Sequence, residues 1–168
     1  MKILITFVLG IFFSVSYVYA AVASSQVVQL KNGKGESVGS ATLSPLVKGV
    51  KVDVDVHGLT PGPHAIHFHE KASCIGPKFE SAGGHFAPTK NKHGFDMEGG
   101  PHAGDMANLI VGTDGTAKAE IVNTLVSMGG GTDSLLKGTA IVIHEKADDY
   151  KSQPAGDAGG RFACGEIK

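Results

Sequence analysis

From Val50 to His57 the chain alternates without a break, with Val50, Val52, Val54 and Val56 on one side and Lys51, Asp53, Asp55 and His57 on the other. Side chains two apart on an extended strand share a face, so this run predicts an antiparallel strand with one face in a core and one in water. Weaker runs of the same kind lie at residues 25–30, 37–43, 64–69, 108–112, 117–122, 139–144 and 162–167. Asn32-Gly33 and Asp114-Gly115 fall between such runs, where type I′ hairpin turns are predicted. Eight short strands, Gly-rich turns and no amphipathic helix predict an all-β sandwich or barrel.

Two stretches break the rhythm. Residues 71–106 and 145–160 are rich in Gly, Pro, His and Asp and carry little periodicity. Connections this long inside a compact domain are usually functional, so both are expected to wall a site mounted on the β scaffold.

The chain begins with Met1-Lys2 and an almost wholly apolar run over residues 3–23, with small residues at Val18-Tyr19-Ala20 and Ala21-Val22-Ala23. This predicts a secretory signal peptide cleaved after Ala20 or Ala23. The run is long enough to span a bilayer, which makes an uncleaved anchor the alternative, but no basic stop-transfer cluster follows. No cysteine near its end offers a site for a lipid. The expected organisation is a leader over 1–20 and one domain over 21–168. A net charge of −1 with no Lys/Arg run argues against nucleic acid as a partner. The two cysteines, Cys74 and Cys164, read first as a disulfide in an exported chain and second as free thiols that ligate metal. As a bridge they would close a long loop and stabilise the fold by roughly 4 kcal/mol in the chain-entropy model.

Six of the eight histidines fall in and beside the two loops. His67 and His69, two apart on a strand, can face one ion while Ile66 and Phe68 face the core. His144 ends the apolar run 140–143. With a fourth imidazole these make a nitrogen-only site suited to copper. His85, His93, His102 and Asp105 give three nitrogens and one oxygen, a set suited to tetrahedral zinc. Seven residues supply eight bonds only if one serves both ions, and His85, first in the loop, is the expected bridge. His57, on the polar face of its strand, and His64, with the parity of Ile66 and Phe68, are expected to be a surface and a packed histidine.

The segments HAIHFHEKASC (64–74), SAGGHFAP (81–88), KHG (92–94), GPHAGDMANL (100–109), IHEKADD (143–149) and GGRFACG (159–165) resemble, in order, the motifs of copper-zinc superoxide dismutase. The leader and the short segment between His144 and Arg161 look like the exported bacterial branch. The resemblance implies an eight-stranded antiparallel Greek-key β-barrel, a flattened sandwich, with one copper and one zinc ion per subunit between two long loops. It implies copper on His67, His69, His85 and His144, zinc on His85, His93, His102 and Asp105, and Asp148 linking His67 to His93. It makes His85 and Arg161 the catalytic residues, the first as proton carrier and the second, the only arginine, orienting the anionic substrate. The implied reaction is the disproportionation of superoxide to oxygen and hydrogen peroxide in the periplasm, or after secretion, protecting the envelope, with no membrane association after cleavage. A non-catalytic envelope carrier of copper or zinc is the alternative function. A homodimer is one of the assemblies the resemblance leaves open, and Lys78, Lys90, Lys146 and Lys151 are candidates for steering substrate. Ala65 and Ala87 depart from the family's usual glycine and asparagine.

Overall fold

The computed structural model describes residues 24–168; the leader and its cleavage points lie outside the described residues. The chain order is β1 (Gln26–Asn32), β2 (Ser37–Pro45), β3 (Val50–His57), β4 (Gly62–His64), β5 (Ile66–His69), β6 (Leu109–Val111), β7 (Thr116–Asn123), β8 (Thr139–His144) and β9 (Arg161–Ile167). Two short 3₁₀ turns, Glu80–Ala82 and Leu135–Lys137, had no signal in the hydrophobic period.

The predicted strand at 64–69 divides at Ala65. Its N–H donates to the Lys146 carbonyl at 2.8 Å, and its carbonyl accepts the His144 N–H at 2.8 Å. The two halves thereby pair with different partners, β4 with β6 and β5 with β8. Counted as one bent strand, they restore the predicted eight. The larger sheet runs β5-β8-β9-β1-β2-β3-β7, and β6 packs against β7 to close the ring. Strand neighbours are antiparallel, while β3→β4 and β7→β8 skip adjacent positions, which gives the Greek-key crossovers.

Both hairpin turns lie where predicted but are of another type. Gly35 N–H donates to the Asn32 carbonyl and Gly115 N–H to the Gly112 carbonyl, and the positive φ falls on Gly35 (83°) and Gly115 (77°), not on Asn32 or Asp114. The side chains explain this: Asn32 Oδ1 accepts from Lys34 N–H and Asp114 Oδ1 from Thr116 N–H, a local bond that keeps the polar residue out of the left-handed region and leaves the glycine to close the turn.

Val50, Val52, Val54 and Val56 are buried in the main core with Leu30, Leu43, Ile66, Phe68, Ile141 and Ile143. Truncating the fully buried Phe68 to alanine is expected to cost about 3–5 kcal/mol. Strand β8 is buried on both faces, because Ala140 and Val142 turn outward to a second cluster with Phe79, Ala82 and Cys164 under the first long loop. That is why its sequence reads as a continuous apolar run. Cys74 and Cys164, 90 residues apart, are bonded with Cα atoms 5.7 Å apart, so the thiol-ligand alternative is set aside. The bridge ties the first long loop to β9.

Candidate metal centre

Strand β5 carries His67 and His69, the end of β8 carries His144, and the first long loop brings His85 against them through a bridge with His69. In one set, His67, His69, His85 and His144 place one ligand atom each within 4.8 Å of one another; in a second, His85, His93, His102 and Asp105 do the same. These are the two predicted sets, and His85 belongs to both.

Hydrogen bonding decides which nitrogens are free. A carboxylate or carbonyl only accepts, so a ring nitrogen bonded to one must carry the proton and leave its lone pair on the other nitrogen. His67 Nε2 donates to Asp148 Oδ2 at 2.8 Å, and His93 Nε2 donates to Asp148 Oδ1 at 2.9 Å. His69 Nδ1 donates to the Gly83 carbonyl at 3.0 Å. In the neutral rings the lone pairs then sit on His67 Nδ1, His93 Nδ1 and His69 Nε2. His67 Nδ1 and His85 Nε2 are buried with no hydrogen-bond partner among the described residues, and His69 Nε2 faces His144 Nε2 at 3.4 Å. Unpartnered buried nitrogens such as the first two are costly; a cation among these four atoms removes that cost.

In the second set, His85 Nδ1 lies 2.9 Å from Asp105 Oδ1 and 3.4 Å from His102 Nδ1. His93 Nδ1 lies 3.1 Å from Asp105 Oδ2 without making an aligned hydrogen bond, as expected of two groups aimed at a common point. Burial alone would raise the Asp105 pKa, but the adjacent rings of His102, His85 and His93 and the backbone N–H of Gly94 hold it well below the usual carboxylate range. A buried anion facing three imidazoles fits a divalent cation, and the N₃O donor set fits zinc.

A model of the copper/zinc superoxide dismutase (SODC) family matches residues 37–167. The chain belongs to the copper/zinc superoxide dismutase family. It is 44% identical over 144 residues to copper-zinc superoxide dismutase 2 of Aquifex aeolicus, covering 83% of this chain and 84% of that one. Among solved structures, a SOD-like protein from Bacillus subtilis superposes with a TM-score of 0.82 at 39% identity, covering 84% of this chain and 97% of that one. The Cu/Zn superoxide dismutase from Brucella abortus gives 0.72 at 28%, covering 86% and 100%. Relatives thus include a protein named only dismutase-like, which makes the completeness of both residue sets here informative. Dismutation of superoxide is the activity of this chain, and its His and Asp sets suit copper and zinc.

In this dismutase Arg161 opens β9 and reaches back into the first loop, Nη1 donating to the Phe79 carbonyl at 2.6 Å and Nη2 to the Gly83 carbonyl at 2.7 Å. It lines a cavity of about 310 Å³ with His69, His85, His102, His144 and Pro154. Lys78, Lys90, Lys146 and Lys151 are exposed, and none is in a salt bridge among the described residues. His57 is exposed, as expected, and His64 is buried with Nδ1 2.8 Å from the His144 carbonyl and Nε2 2.8 Å from that of Thr60.

Residue type alone did not single out three further contributors. The Asn108 side chain holds Asp148 by its backbone in both directions, Nδ2 to its carbonyl at 2.9 Å and Oδ1 from its N–H at 2.8 Å. Asn123, buried at the end of β7, donates to the Ala103 carbonyl at 2.8 Å and ties the loop beside Asp105 to the barrel. Gly156, at φ 71°, leaves room for Asp148, since a Cβ there would overlap the carboxylate and crowd His93 Nε2. Only Asn108 lay inside a recognised motif.

Proposed function

We propose that His67, His69, His85 and His144 hold copper, that His85, His93, His102 and Asp105 hold zinc, and that His85 is shared. The observation that carries this reading is the orientation of His85, whose Nδ1 faces Asp105 and whose Nε2 is buried without a partner toward the other set. Bound copper supplies one-electron chemistry, so that one superoxide is oxidised to oxygen and a second is reduced and leaves, with two protons, as hydrogen peroxide.

The chain's own part is to bind, orient and protonate. Arg161, fixed by two carbonyls, presents the rest of its guanidinium to the cavity and orients the anion. His85 Nε2 carries one proton. That nitrogen is buried without a hydrogen-bond partner among the described residues and beside the cavity that Arg161 lines, so it is placed to take up a proton and give it to reduced substrate. Asp148, holding both His67 and His93 by Nε2, keeps the two rings in fixed orientation.

The leader read in residues 1–20 supports export, with residues 21–168 acting as one domain in the periplasm or beyond it and protecting the envelope from superoxide. Among the described residues no helix is long and apolar enough to cross a membrane. The test is dismutation by the processed, disulfide-bonded protein loaded with both metals, beside His144→Ala. Rapid copper-dependent activity lost in the variant supports the assignment. Two bound metals without activity would make the chain a carrier.

A further inference from the structure

Tyr150 stands where the two long loops meet, and no role given above uses it. Its backbone N–H donates to Asp148 Oδ1 at 2.7 Å, and its carbonyl accepts the Asp96 N–H at 3.1 Å. That carbonyl also occupies the space a side chain on Gly94 would need. The hydroxyl accepts the Asn108 N–H at 2.8 Å, and Asn108 is the residue that grips the backbone of Asp148. The ring meets Phe95 edge-on, with centroids 5.6 Å apart, and Phe95 lies two residues after His93. All of this is done at φ 63°, the left-handed region in which a bulky side chain is strained and glycine is not. Such strain persists only where surrounding contacts hold it, and here they lead to Asp148 and to the segment carrying His93.

We propose that Tyr150 is a positioning residue that latches the His93 segment over the metal centre, fixing the Asp148 carboxylate and, through it, the His93 ring that zinc requires. The proposal rests on the reading of His93 as a zinc ligand. The two rings held by Asp148 differ in their other supports. His67 is paired within β5 against β8, whereas His93 lies in a loop outside the strands. Zinc is therefore the ion that senses loss of Tyr150, while the copper set keeps its strand-borne geometry.

The test uses the full chain with Tyr150→Phe, Tyr150→Leu, Phe95→Leu and the Tyr150→Leu/Phe95→Leu pair. Zinc and copper affinities are read by competition with a chromophoric chelator, and melting midpoints are taken on metal-free protein. Tyr150→Phe keeps the ring and loses one hydrogen bond, so zinc binding should weaken about two- to tenfold. Tyr150→Leu should weaken it about 10- to 100-fold, with copper affinity within about threefold and the metal-free midpoint little changed. The pair should lose less zinc affinity than the two single losses combined, because they remove one stack. A merely structural tyrosine would do the reverse, lowering the metal-free midpoint and leaving zinc affinity at the parent value, and that result overturns the proposal. His93→Ala separates the two readings. If it binds zinc as the parent does, the zinc assignment itself fails; if it loses zinc while Tyr150→Leu keeps it, only the latch fails.

Discussion

Arg161 and His69 share one acceptor, the carbonyl of Gly83, which takes Nη2–H from the first at 2.7 Å and Nδ1–H from the second at 3.0 Å. The group we propose orients the anion and a ring we propose holds copper are thus referred to the same atom of the first long loop. The second bond of Arg161, to the Phe79 carbonyl, fixes the plane of the guanidinium.

A lysine at position 161 keeps the charge but cannot span both carbonyls. Arg161→Lys is expected to lower kcat/KM about 10- to 100-fold, the effect of one lost charge-assisted hydrogen bond in the productive geometry. Copper content should stay at the parent level. Fast kinetics of superoxide decay, with metal analysis on the same samples, check both.

Asp148→Asn tests the carboxylate between the two sets. An amide can accept from only one of the two Nε2–H groups, and its NH₂ faces the other donor. Zinc affinity is expected to fall about 10- to 100-fold, measured by chelator competition. Asp148→Ala should do no worse than Asn at the ring that Asn repels.

Gly156→Ala places a methyl group into the Asp148 carboxylate and beside His93 Nε2, at a backbone φ of 71° that alanine tolerates poorly. Because residue 156 lies in a loop outside the strands, the far-ultraviolet circular dichroism of the barrel should be unchanged while zinc stoichiometry falls. A variant that loads fully would show that the second loop can shift to accommodate the methyl group.

The barrel was legible because β3 alternates strictly and its four valines face one core, and the metal sets were legible because ligand residues are chemically distinctive and cluster in sequence. The break at Ala65 was not legible, since it arises when two halves of one strand find different partners. The turn type at Asn32 was not either, because a side-chain bond two residues on competes with the backbone preference. Asn123, Gly156 and Tyr150 act through hydrogen bonds or close approach to residues far along the chain, and no local pattern encodes such contacts.

The metal-free centre should show a stability maximum near neutral pH. Burial lowers His93, but the carboxylates of Asp105 and Asp148 on either side of the ring outweigh this and hold it up to about 9. Its contribution is therefore complete below the unfolded value near 6.5 and is lost as pH rises through 9. Burial takes His85 down to about 4 and His144 to about 3, so the unfolded chain binds more protons there as pH falls below about 6.5, and stability drops. The depressed carboxyls of Asp105 and Asp148 add to the loss on the acid side. Thermal midpoints of metal-free protein between pH 4 and 10 check the shape. Zinc must displace the His93 Nδ1 proton, so apparent zinc affinity should climb by about tenfold per pH unit between pH 7 and 9 from this group.

The disulfide separates stability from catalysis. Cys74 and Cys164 enclose His85, His93, His102, Asp105, His144, Asp148 and Arg161, leaving only His67 and His69 of the two metal sets outside the closed loop. Replacing both cysteines by serine frees that loop in the unfolded chain and is expected to cost about 4 kcal/mol. In the folded chain, other bonds hold the same segment: Glu166 Oε1 accepts the Cys74 N–H at 3.1 Å, and Ser81 Oγ donates to the Ser73 carbonyl at 2.8 Å while accepting the Ile75 N–H at 2.9 Å. These should keep Phe79 and Gly83 in reach of Arg161 once both metals are bound. The double serine variant is therefore expected to unfold at clearly lower denaturant while retaining kcat/KM within about tenfold at 25 °C, the room left by one weakened hydrogen bond. Loss of activity at parent stability would mean that the bridge itself, rather than the bonds around it, sets the position of Arg161.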